Sequence, residues 1–125
     1  MTRINCGIPP SELCNKHLMA EAREIKRIPN CIKKGRYNLE GQPEKFTLGK
    51  GHVKFFYDKL LYLKNRYEEL YLECIRRGIN VNYYGDAWEK VPPNLMNDYT
   101  PNDYDRKIIR KRISERLEKM GLIKK

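Results

Sequence analysis

Long hydrophobic runs are missing from this 125-residue sequence. A helix that spans a bilayer needs about 20 consecutive apolar residues, and no stretch of the chain approaches that length. A secretory signal is also missing, because Arg3 is followed by polar residues and prolines rather than by an apolar segment. We therefore expect no membrane association and a soluble, intracellular protein.

Closely spaced pairs of cysteine or histidine are missing as well. The four cysteines are scattered along the chain: Cys6, Cys14, Cys31 and Cys74. In an intracellular protein such cysteines are usually reduced residues of the core. A zinc site would have to combine Cys14 and Cys31 with His17 and His52, and this spacing matches no known zinc pattern. We therefore predict no metal site.

Acidic residues are the minority charge, with 16 Asp and Glu against 26 Lys and Arg, which gives a net charge of +10. An excess of this size favours a polyanionic partner, and nucleic acid is the most common one. A chain of this length can form one substantial core but not a second one. Composition therefore predicts a single domain, residues 1–125, that binds nucleic acid.

The first part of the chain is predicted to form an extended arm followed by a helix. The arm covers residues 1–10 and ends in two consecutive prolines, which are incompatible with a helix. Ser11 is a suitable N-cap, and the helix should continue to residues 27–28, where Pro29 ends or bends it.

Two more helices are predicted downstream. The second ends at Gly78 and is defined by apolar residues at alternating spacings of three and four: Val53, Phe56, Leu60, Leu63, Tyr67, Leu70 and Cys74. Residues 79–104 should form an irregular loop whose aromatic side chains mostly pack on the core. The third helix covers residues 105–120 and buries Ile109, Ile113 and Leu117. The expected fold class is all-α.

One face of the first helix carries the candidate chemistry. His17, Glu21 and Glu24 are spaced by four and three residues, so they share a face. The apolar stripe of this helix is formed by Cys14, Leu18, Ala22 and Ile25. A basic ridge lies opposite this stripe: Lys16, Arg23 and Arg27. The carboxylate of such a group can transfer protons, and the arginines that border it can hold a phosphate nearby. On an arbitrary helix, the same pattern would more often be a His17–Glu21 pair on a solvated surface.

Basic residues outside this helix are further candidates for DNA contacts. Lys50 lies between two glycines at the end of a polar loop, residues 33–51, where exposed amides could hold a phosphate although the full P-loop spacing is missing. Arg110 and Lys111 belong to the basic third helix, which is either a solvated face or a phosphate-contacting one. The net charge favours phosphate contacts.

The order of residues over much of the chain resembles the pyrimidine dimer DNA glycosylases, the phage-type endonuclease V enzymes, which are also abasic-site lyases. The resemblance lies in Met1-Thr-Arg-Ile-Asn5, His17-Leu-Met-Ala-Glu-x-Arg-Glu-x-x-Arg27 and Leu48-Gly-x-Gly-His-Val-x-Phe-Phe-Tyr-Asp-Lys-Leu60. It continues through Arg76-Arg-Gly78 and so spans roughly residues 1–80. A long match in one order is far more specific than a short motif.

The resemblance also assigns roles to residues. Thr2 is small enough to permit removal of Met1, which would leave an α-amine that titrates about two units below a lysine. By resemblance Thr2 is the nucleophile, and Glu24 is the carboxylate that stabilises the cationic sugar and moves protons. Residues that match DNA-contacting or site-lining positions of the family are Arg3, His17, Arg23 and Arg27.

The implied activity is that of a bifunctional DNA glycosylase and abasic-site lyase. It would excise a base at a pyrimidine dimer through an imine and cut the strand by β-elimination, without a metal or organic cofactor. The implied fold is a compact set of three helices with the N-terminal arm threaded into the active site. The expected partner is double-stranded DNA containing a lesion, bound by a monomer in the cytoplasm or wherever the genome lies in an infected host cell.

The sequence leaves the lesion open. The best-known relatives end in an aromatic tail, whereas residues 120–125 contain no Trp or Tyr. One alternative is a glycosylase-lyase for another damaged or modified base, and another is a non-catalytic basic helical protein that binds DNA or RNA. The aromatic loop over residues 79–104 could instead have taken over base stacking.

Overall fold

The computed structural model describes residues 2–121, so the end of the chain, on which the expectation about an aromatic tail depends, lies mostly outside it. The α-helices are α1 (Asn15–Glu24), α2 (Arg27–Lys33), α3 (His52–Phe55), α4 (Leu60–Arg76) and α5 (Asp103–Lys119). Three short 3₁₀ turns lie at Pro10–Glu12, Gly85–Trp88 and Pro93–Leu95. The described residues contain no β-strand, so the predicted all-α fold is confirmed. None of these helices is long and apolar enough to cross a membrane.

The first predicted helix is present in two parts. It begins at Asn15, and Ser11 lies instead in the 3₁₀ turn Pro10–Glu12, so the prediction of an N-cap at Ser11 is wrong. Two residues separate α1 from α2. Pro29 lies in the first turn of α2, where the missing N–H has no helical partner to lose. The prediction that Pro29 ends the helix is therefore wrong, but the break at residues 25–26 agrees with the alternative prediction that Pro29 bends the helix.

The second predicted helix is also interrupted. The short α3 is followed by a turn at residues 56–59, after which α4 runs for 17 residues. Gly78, with φ of +76°, closes α4 by donating its backbone N–H to a carbonyl of the last turn, as the sequence predicted. The loop before α3 is less polar than expected, because Phe46 is buried in the core.

The third predicted helix, α5, begins at a capping box. The side chain of Asn102 accepts the backbone N–H of Asp105 at 2.9 Å, and the Asp105 carboxylate accepts the backbone N–H of Asn102 at 3.2 Å. Ile109 is fully buried, but Ile113 and Leu117 are only half-buried. The C-terminal half of α5 is therefore packed less tightly than predicted, and it borders an open cavity.

The N-terminal segment, residues 2–9, belongs to the core although it has no regular secondary structure. Ile4, Cys6 and Ile8 alternate along it and are each at most 1% exposed. They pack in one cluster with Leu18 of α1. This alternation directs the intervening residues to the other side of the segment, which faces the cavity.

Candidate active site

A cavity of about 300 Å³ lies between the N-terminal segment, α1 and α5. The N-terminal segment contributes Arg3 and Asn5, and α1 contributes Lys16, His17 and Glu24. The side chains from α1 occur at the helical spacing used in the sequence analysis. The cavity therefore brings together four of the predicted site residues: Arg3, Lys16, His17 and Glu24.

The opposite wall of the cavity is cationic and comes from α5. Arg112, Arg116 and Lys119 line it at spacings of four and three, so they share a face of the helix. Sequence reasoning selected Arg110 and Lys111 from this helix and missed these three. Their spacing predicts that they share a face of α5, but it does not predict that this face borders the cavity.

Arg3 experiences the charge of this wall directly. Burial lowers the pKa of the Arg3 guanidinium, and the charges of Arg112 and Arg116 lower it further, while Glu24 acts in the opposite direction. Arg3 stays protonated, because an arginine pKa is far above physiological pH. The cavity therefore has a strongly positive electrostatic potential, with the Glu24 carboxylate at its edge. Such a potential favours the binding of a DNA phosphate.

Glu24 and His17 keep hydrogen-bonding capacity for a molecule in the cavity. The Glu24 carboxylate lies 3.8 Å from the Arg27 guanidinium, which is too long for a hydrogen bond. Within residues 2–121, Glu24 accepts no side-chain hydrogen bond from another residue. Burial lowers the pKa of His17, and the charge of Lys16 adds to this effect. The His17 ring is therefore neutral at physiological pH, and its Nδ1 has no hydrogen-bond partner in the described chain.

Glu21 lines the cavity together with His17 and Glu24, as their spacing predicted, but it is buried and paired with another helix. Its carboxylate accepts Arg66 Nε at 2.8 Å and Nη2 at 3.0 Å, and it accepts Asn5 Nδ2 at 2.7 Å. This arrangement replaces the simple His17–Glu21 pair that a solvated helix would show. A buried carboxylate is tolerated when its charge and lone pairs are matched in this way. The sequence analysis did not predict a structural role for Arg66. Its position directly before Tyr67, a residue of the apolar stripe, was the available signal that it lies close to the core.

The other predicted site residues lie outside the cavity lining. Four are exposed side chains: Arg23, Arg27, Lys50 and Lys111. Arg110 pairs with Glu12 at 3.3 Å on another side of α5. Thr2 precedes the lining residue Arg3 and is 8% exposed in the chain that includes Met1. Their predicted roles in catalysis and DNA binding remain predictions.

The aromatic loop over residues 79–104 contributes none of the lining residues found in the described chain. Trp88 is buried in the core, whereas Tyr83, Tyr84 and Tyr104 are exposed, so the prediction that most aromatic side chains of this loop pack on the core is not confirmed. The Tyr84 ring lies 3.6 Å from Lys26 Nζ, at the junction of α1 and α2. A stacking role for this loop inside the cavity is therefore not supported by its position.

A family model described as pyrimidine dimer DNA glycosylase matches residues 1–84. The match covers 84 of the 125 residues and includes the N-terminal segment and α1, which form two walls of the cavity. The cationic wall from α5 lies beyond the matched residues. With two-thirds of its length matched, the chain belongs to the pyrimidine dimer DNA glycosylase family and is thus an enzyme of DNA repair.

Proposed function

We propose that this protein excises a base at pyrimidine dimers in double-stranded DNA and then cuts the strand as an abasic-site lyase. The observation that carries the proposal is the cavity in which Arg3 and Glu24 face the cationic wall of α5, beside the start of the chain. Imine chemistry on DNA requires an amine, a carboxylate and groups that hold phosphates. The cavity supplies the last two, and Thr2 is the residue next to Arg3 along the chain.

Removal of Met1 provides the amine. The α-amine of Thr2 has an ordinary pKa of about 8, and nearby positive charges lower such a pKa further. The wall of α5 already acts in this direction on Arg3. A larger fraction of the Thr2 amine is therefore neutral and nucleophilic at physiological pH than of any unperturbed lysine.

The amine then attacks C1′ of the damaged nucleotide. A bond forms between nitrogen and C1′, the bond between C1′ and the base breaks, and the base leaves with the electron pair. The attacking nitrogen gives up a proton, which the Glu24 carboxylate accepts, and the same carboxylate stabilises the positive charge that develops on the sugar. The nitrogen lone pair next expels the ring oxygen, which takes up a proton, and a cationic imine is formed.

The imine makes strand cleavage possible. It acidifies the proton on C2′, and loss of this proton forms a double bond between C2′ and C3′. The bond between C3′ and oxygen breaks at the same time, so the 3′ phosphate leaves with that electron pair. Water hydrolyses the imine and restores the free amine. Every step uses groups of the protein, the DNA and water.

Replacement of Arg112 or Arg116 by Gln should weaken binding to a lesion-bearing duplex. Each variant should also reduce the slope of log Kd against log salt by about one unit for each phosphate contact that is lost. Fluorescence anisotropy at several salt concentrations measures both quantities. Lys107→Gln is the matched control, because it removes the same charge from an exposed position of α5 outside the cavity. Equal effects of all three changes would contradict a phosphate site in the cavity.

A panel of duplexes tests the function itself. Duplexes with a cis-syn thymine dimer, an abasic site or an oxidised base are compared with undamaged DNA at one salt concentration. We expect the dimer and abasic duplexes to be cut. Cutting of abasic DNA alone would overturn the dimer assignment and leave the lyase chemistry, whereas binding without any cutting would identify a non-catalytic DNA-binding protein.

A further inference from the structure

His52, the first residue of α3, forms a hydrogen bond with the backbone of the N-terminal segment. The backbone N–H of Ile4 donates to His52 Nε2 at 2.9 Å, and His52 Nδ1 lies 2.8 Å from the Thr47 carbonyl oxygen. An amide N–H only donates and a carbonyl only accepts, so both bonds require a neutral ring with its proton on Nδ1. Burial lowers the pKa of His52 to about 4, which keeps the ring neutral at physiological pH.

A buried ion pair holds the segment further along. Glu21 and Arg66 are 1% and 4% exposed, and this pair binds the side chain of Asn5 and the carbonyl of Ile8. Burial by itself lowers the pKa of Arg66, but the Glu21 carboxylate overrides this effect and raises it, so the guanidinium stays charged. Asn5 and Ile8 are thereby tied to both α1 and α4.

These contacts define the position of residues 4–8. A buried ion pair adds little net stability compared with apolar packing, because desolvation of the charges offsets their attraction. Its main consequence is a single conformation for residues 5–8. The bond to His52 extends that conformation to Ile4, which is two residues from Thr2 and one from the lining residue Arg3.

We propose that His52 is a positioning residue that fixes the Thr2 amine of the processed protein relative to Glu24 by accepting the N–H of Ile4. The inference rests on the proposed function, because it takes Thr2 as the nucleophile. His52 does not line the cavity, so its influence on the reaction passes through Ile4. An error of about 1 Å in the position of a reacting group can cost roughly 100-fold in rate.

Three substitutions in the processed protein test this role. His52→Phe keeps edge-to-face packing with Phe46 and Phe56 but cannot accept a hydrogen bond. His52→Asn is a second loss variant, since its short amide can replace Nδ1 near Thr47 but cannot reach Ile4. His52→Gln places an amide oxygen near the position of Nε2 and should restore the bond.

The measurement is the single-turnover rate of borohydride-trappable imine formation on abasic DNA at saturating protein. We expect His52→Phe and His52→Asn to lower this rate about 100-fold, with little change in the Kd for the same duplex. His52→Gln should recover most of the loss. Leu95→Ala is the stability control, because it opens the core at a 3₁₀ turn far along the chain and should lower Tm without lowering the imine rate.

The outcomes are distinct. Wild-type imine rates in folded His52→Phe or His52→Asn would overturn the positioning role. Equal losses in these variants and in Leu95→Ala would also overturn it, because stability alone would then explain the effect. A wild-type protein that forms no imine would refute the proposed function itself, together with the inference that depends on it.

Discussion

Protein that retains Met1, or that carries an N-terminal tag, should form no borohydride-trapped adduct with abasic-site DNA, whereas the processed protein should be trapped efficiently. The reason is chemical, because the nitrogen of Thr2 is an amide until Met1 is removed and an amide is not a nucleophile at neutral pH. The amine of Met1 cannot substitute for it, since one extended residue displaces the nitrogen by up to about 3.6 Å. Gel mobility of the adduct and intact mass of each protein measure the result.

The alternative nucleophile is a lysine, and the cavity limits the choice. Among residues 2–121, the lysines that line it are Lys16 and Lys119. Equal trapping of blocked and processed protein would contradict the assignment to Thr2. Lys16→Arg and Lys119→Arg, each in the blocked protein, would then show which side chain forms the imine, because arginine keeps the charge but does not form one.

Sequence reasoning found the α1 side of the cavity because helical spacing is a local property. Lys16, His17 and Glu24 line the cavity together as their spacing predicted. The wall formed by α5 depends on packing between helices about 90 residues apart along the chain, and spacing within one helix carries no information on which helix it will face. Arg112 and Arg116 were missed for this reason.

Burial and helix breaks also depend on contacts that are distant in sequence. Glu21 has the spacing of a functional residue, but its environment is set by Arg66, 45 residues away. The break in the second predicted helix was not predicted either. Phe56 lies in this break and Leu60 begins α4, and both are fully buried, so the apolar pattern continues where the helical hydrogen bonds do not. Apolar spacing shows which residues face the core, and it does not show whether the helix is continuous.

Glu24→Gln should leave DNA binding nearly intact and lower the single-turnover rate of base excision at a thymine dimer by at least about 100-fold. Glutamine keeps the size and hydrogen-bonding atoms of the side chain but removes its charge. The lost interaction acts on positive charge that develops during the reaction, so it affects the rate more than the affinity. Glu44→Gln is the matched control, because Glu44 is exposed in the loop before α3 and does not line the cavity.

Abasic DNA separates the two roles given to Glu24. An abasic sugar has already lost its base, so imine formation on it requires no stabilisation of charge during base departure. We therefore expect Glu24→Gln to slow trapping on abasic DNA much less than it slows excision at a dimer. Equal losses on both substrates would mean that Glu24 acts chiefly in proton transfer to and from the amine. If excision keeps most of its rate, Glu24 is not a catalytic residue, and the α1 face of the cavity serves only to bind DNA.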